Sequence, residues 1–192
     1  MKVRAFLAAL LIGGAALAEP VRAQSITYEE RDTAQDHIEL LDTLVDLGID
    51  VQINNPSICN KEEGVAGYWM GARKLFVLCQ QSIRSAKLPY YTGEIVTASD
   101  DDLDTIRHEA HHVIQDCKDG KIDGRLDHYF TPENLVTFLD NYPDWKEDHV
   151  RESYAEFGES NHVIELEVEA WAVADLVEAS TINEVLIREC KV

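Results

Sequence analysis

The sequence predicts an α+β fold, a small mixed or antiparallel sheet packed against several helices, from three observations. Apolar residues recur at helical spacing in separated stretches, residues 28–47, 99–117 and 163–178. Short runs rich in β-branched and aromatic residues cluster between the first two, within residues 51–79. No repeat, low-complexity tract or clear linker interrupts the chain, so a single domain is expected over residues 24–192.

Taken in order, the chain opens with Lys2 and Arg4 ahead of an apolar run from Ala5 to Ala18. Ala16-Leu17-Ala18 or Val21-Arg22-Ala23 then offers small residues for cleavage, which is the pattern of a signal peptide over residues 1–23. The run is shorter than the roughly 20 residues that span a bilayer. An exported chain is expected, secreted or periplasmic, with no stable membrane insertion after cleavage. Residues 28–47 carry Ile38, Leu41, Leu44, Val45 and Leu47 at helical spacing and stop at Gly48. Val51-Gln52-Ile53-Asn54 reads as a short strand. Residues 67–70 and 74–79 flank Gly71-Ala72-Arg73 and suggest a hairpin.

Ser99-Asp100-Asp101-Asp102 is a capping sequence, with acidic residues suited to the positive end of the helix dipole. After it, Leu103, Ile106, Ala110, Val113, Ile114 and Cys117 form one apolar stripe. Residues 117–160 have no clear periodicity. Residues 119–124 superficially resemble a calcium loop, but Lys121 occupies the third liganding position and the final glutamate is missing. Thr131 caps a short helix with Pro132 at its first position. The stretch after that helix, through Tyr142-Pro143-Asp144-Trp145, suggests a lid or a packing insert. Helices over 163–178 and 181–190 close the chain.

With 17 basic and 36 acidic residues, a net charge of −19, the chain should repel nucleic acid and anionic lipid. Four cysteines in an exported chain imply two disulfides, with three possible connectivities. Cys59–Cys79 and Cys117–Cys190 are favoured. The first pair lies in one β-rich segment, and the second would tie the end of the residue 99–117 helix to the C-terminus. Free buried thiols are the alternative.

The most informative stretch is His108-Glu109-Ala110-His111-His112, an HExxH motif. Residues four apart on a helix project from one face a turn from each other, so His108 and His112 can share one zinc ion with Glu109 beside them as a general base. On a wheel these three lie opposite the apolar stripe, on a side that is either solvated or lines a cleft. His111 falls off the face shared by His108 and His112 and is expected to support a ligand or to be exposed. A catalytic zinc needs a third protein ligand. Within residues 163–178, Val163, Ile164, Leu166, Ala170, Trp171, Val173, Ala174 and Val177 share one broad apolar side. Glu167 falls near its middle, whereas Glu165, Glu169 and Asp175 fall where water can solvate them. A carboxylate in an apolar stripe needs a partner, either a metal ion or an Arg or Lys.

HExxH on one helix and Glu167-Val168-Glu169-Ala170 on a later one resemble the zincin metallopeptidases of the gluzincin group, in which the third ligand stands in a Glu-x-x-Ala motif. The resemblance covers residues 65–178. It implies a zincin-like fold, one catalytic Zn2+ held by His108, His112 and Glu167, and a peptide or protein substrate. It also implies Glu109 as the base that activates water, and an edge strand at residues 75–79 that holds the substrate backbone. His128, Tyr129, Tyr154 and His162 are candidates for a donor to the reaction oxyanion. Trp171 stands where thermolysin-like members carry a supporting Asp. The metzincin extension is absent, because Gln115 and Lys118 replace its Gly and His. An aspzincin ligand at Asp123 or Asp127 lacks its accompanying motif. Two other readings stay open: a zinc-containing binding protein without activity, and a metal-free acidic module stapled by disulfides.

Overall fold

The computed structural model describes residues 34–59, 65–80, 95 and 98–190. The signal peptide expected over residues 1–23 and the first residues of the 28–47 helix lie outside them. The fold class is α+β, as the sequence predicts. Among the described residues there are seven helices: α1 (Ala34–Asp46), α2 (Pro56–Cys59), α3 (Asp100–Cys117), α4 (Pro132–Leu139), α5 (Asp144–Glu156), α6 (Asn161–Leu176) and α7 (Ala179–Glu189). Three strands, β1 (Asp50–Ile53), β2 (Gly67–Met70) and β3 (Leu75–Leu78), form a mixed sheet in the order β1-β3-β2. No helix among the described residues is long and apolar enough to cross a membrane.

Two compact units emerge, one of residues 130–177 and one of residues 34–129 with 178–190. In the larger unit, α1 and α7 pack together and both meet α3. Within α1 the buried residues are His37, Leu40, Leu41 and Leu44, whereas Ile38 and Val45 are exposed. The inward face is thus rotated from the expected stripe and admits a polar residue. β1 pairs parallel with β3 and β2 antiparallel with β3, with Trp69 opposite Phe76. The hairpin turn is a single 3-10 turn over Gly71–Arg73, closed by Lys74 in the left-handed region at φ 47. Both expected disulfides are present. Cys59–Cys79 and Cys117–Cys190 have Cα separations of 5.4 and 5.2 Å.

Residues 75–79 are not an edge strand. β3 is the central strand of the described sheet, hydrogen-bonded on both sides and wholly buried, so its backbone offers no open edge to a peptide. A continuous apolar run such as Leu75-Phe76-Val77-Leu78 belongs in the middle of a sheet, where both faces are covered.

The smaller unit holds α4, α5 and α6. Thr131 caps α4 as expected, and Phe130 stacks on Phe138 at 4.7 Å between ring centroids. Within the stretch that lacks clear periodicity, residues 144–156 form a full helix, α5. It is mostly polar and buries only Val150. Its attachment to α6 is largely ionic: Lys146 reaches Asp175 at 2.6 Å, and Arg151 binds both oxygens of Glu165 as well as Glu147. The hydrogen bonds with Glu165 first, then Glu147, hold the Arg151 guanidinium above its ordinary range against the opposing effect of burial. Within α6, Glu169 is fully buried, contrary to the solvated side expected for it. The helix is apolar nearly all round, so a wheel drawn on it has no clean solvent side.

Candidate metal centre

The site begins with how firmly α3 is held in its own unit. Ser99 and Asp102 form a reciprocal capping box that satisfies two backbone donors at the helix start. Buried Gln80 donates to Asp102 Oδ2 at 3.2 Å and accepts from Asn54 Nδ2 at 2.8 Å, which ties the helix start to the ends of β1 and β3. Halfway along, buried Arg107 donates to His37 Nε2 on α1 at 2.9 Å and pairs with Asp104.

At the far end, buried Asp116 accepts from Trp69 Nε1 and from the backbone N–H groups of Asp123 and Gly124, all at 2.9 Å. That clasp leaves no room for a side chain at Gly71, where a Cβ would lie 1.9 Å from Asp116 Oδ2. The segment that superficially resembles a calcium loop is therefore part of this clasp, with Asp123 turned to Arg125. One residue further, Cys117 is bonded to Cys190.

On this helix His108, Glu109 and His112 are 3%, 6% and 5% exposed, so the polar face is covered rather than solvated. His108 Nε2 and His112 Nε2 approach to 3.1 Å, with their rings nearly perpendicular at 87°. Two nitrogens each bonded to a tetrahedral zinc at about 2.0–2.1 Å stand roughly 3.3 Å apart, so the observed pair needs little adjustment to share an ion. β2 runs past Glu109, and a Cβ on Gly67 would meet Glu109 Cγ at 3.3 Å and Thr105 Cγ2 at 2.7 Å. A glycine is required there for the strand to come this close to the middle residue of the motif.

Glu167 on α6 is half-buried, with its Oε2 oxygen shielded from solvent. Glu167 lies in the smaller unit, whereas His108 and His112 lie in the larger one. Two neutral imidazoles and one carboxylate form a donor set that zinc takes, and three protein ligands leave a fourth position for substrate or water.

The other singled-out residues fall elsewhere. His111 is buried at 2% exposure, with its ring edge-on to Tyr129 at 6.0 Å, so it is not an exposed residue. The Tyr129 hydroxyl accepts from Arg188 at 2.8 Å. His128 is half-buried in the same unit, while half-buried Tyr154 and exposed His162 belong to the smaller one. Asp127 is exposed, with its backbone N–H bonded to Gln115 O.

One neighbour of the motif was not singled out by its sequence. Gln115 Oε1 lies 2.7 Å from His112 Nδ1. The signal was available in its spacing, since side chains three apart on a helix are close enough to touch.

Residues 26–190 match the family described as a domain of unknown function (DUF8637), and the chain belongs to that family. No curated protein and no solved structure matches it.

Proposed function

We propose that this DUF8637 member is an exported zinc-dependent peptidase, secreted or periplasmic, with one ion held by His108, His112 and Glu167. The observation that carries the reading is the approach of His108 Nε2 to His112 Nε2 at 3.1 Å, with buried Glu109 between them in an HExxH motif, and Glu167 is the third ligand that the family resemblance implies. Two disulfides agree with an oxidising, exported setting. Zinc would supply Lewis acidity there: a nucleophile usable near neutral pH and a polarised substrate carbonyl.

The chain's own residues do the rest. His108 and His112 fix the cation on a helix that is tied at both ends and midway, so little rearrangement accompanies binding. Glu109 takes the proton from the attacking water and returns it to the leaving amine. β2 is an outer strand of the described sheet and the one that approaches Glu109, so an extended peptide lying along it would bring its carbonyl near that carboxylate.

The test is zinc content followed by turnover. The mature chain should carry one zinc per molecule and hydrolyse members of a mixed peptide library, with loss of activity on chelation. Glu109→Gln should keep the zinc and lower hydrolysis by about 100-fold or more. Zinc without hydrolysis in the wild type would favour an inert zinc-binding protein, and no stoichiometric zinc would favour the metal-free module. A Glu109→Gln variant as active as wild type would remove Glu109 from the mechanism.

A further inference from the structure

We infer that Gln115 is a positioning residue for the metal centre: its side-chain oxygen holds His112 in the tautomer protonated on Nδ1, which leaves Nε2 as a bare lone pair directed at the cation. The inference rests on the zinc reading above for its consequence, but the chemistry of the pair stands apart from it. An amide oxygen can only accept, so at 2.7 Å it requires the proton on His112 Nδ1. A neutral imidazole carries a single N–H, so the other nitrogen, Nε2, must then be unprotonated. That is the nitrogen that approaches His108 Nε2.

Gln115 is suited to this by its surroundings. It is 1% exposed, so water does not compete for the histidine proton. It sits one turn after His112 on the same helix, so the pairing is set by helix geometry rather than by a mobile loop. Its own backbone carbonyl accepts from Asp127 N, and the next two residues are the clasped Asp116 and the disulfide-bonded Cys117. The turn that carries the amide therefore has little freedom to swing away. Gln115 supplies an acceptor to a ligand imidazole from within the motif helix itself.

The experiment reads the tautomer directly. Full-length mature protein labelled with 15N-histidine is freed of metal and studied at pH 8 by long-range proton–nitrogen correlation. His112 is expected as the Nδ1–H form in wild type and in Gln115→Glu, which keeps an acceptor, and as a mixture in Gln115→Leu, which removes it. Zinc affinity, measured by competition with a chromophoric chelator, should fall by about 10–100-fold in the leucine variant and stay near wild type in the glutamate variant. Matched thermal melts separate this from a loss of fold. An Nε2–H form of His112 in wild type overturns the inference, as does a leucine variant that keeps both tautomer and affinity. If the wild type takes up no zinc, the peptidase reading fails, and the metal-free spectrum still decides the role of Gln115.

Discussion

The two helices that carry the proposed ligands are held by different physics. α3, which supplies His108, His112 and Glu109, is fixed by a capping box, a buried amide relay from Gln80, an Arg107–His37 bond, the Asp116 clasp and a disulfide. α6, which supplies Glu167, is joined to α5 through Lys146–Asp175 and Arg151–Glu165, pairs that are only partly shielded from water. Buried hydrogen bonds and a covalent link persist in salt, whereas partly exposed ion pairs are screened and contribute little.

The largest test of that contrast removes the covalent staple. Cys117 and Cys190 close a loop with a sequence separation of 73, so replacing both with serine should cost about 4 kcal/mol of stability by the loop-entropy account. Chemical denaturation of the double variant measures this. A loss below about 1 kcal/mol would mean that the non-covalent ties alone fix the helix.

A smaller effect separates the two meanings of Glu167. If it is a metal ligand, Glu167→Ala should weaken zinc at least about 100-fold while the metal-free melting temperature stays near that of wild type. A marked fall in the metal-free melting temperature would instead assign Glu167 to an ordinary Arg or Lys partnership, the alternative that its place on the apolar stripe leaves open.

The smallest effect falls on the ionic seam. Arg151→Ala should cost only about 0.5–1 kcal/mol, and the difference from wild type should shrink in 0.5 M salt. A larger, salt-insensitive loss would show that α5 and α6 depend on more than screened charge. Comparison with the cysteine variant then ranks the two kinds of attachment on one scale.

Much of this arrangement is legible in the residues themselves, for reasons that are local. Ser99 three residues before Asp102, Thr131 before Pro132, and turn residues between two β-rich runs all act within a few positions of chain, and all appear as expected. The pairing of the cysteines followed from which segments could be neighbours. Failures occurred where the answer depends on what covers a surface. Ile38 and Val45 fit a helical stripe but face water, because the turn of α1 that docks is set by Leu40 and Leu44 together with His37. Glu169 has a polar side chain on a helix with no polar side to receive it. Residues 75–79 have the composition of any buried strand, and only the order of its neighbours makes β3 central.

The sequence by itself determined that two imidazoles stand one turn apart with a carboxylate between them, since helical spacing is a property of the backbone and holds wherever the helix lies. Tertiary structure alone decided that this polar face is covered and that β2 passes close to Glu109. Periodicity gives the direction in which a side chain leaves its helix, but burial, partners and the proton's place on an imidazole depend on which other parts of the chain meet it.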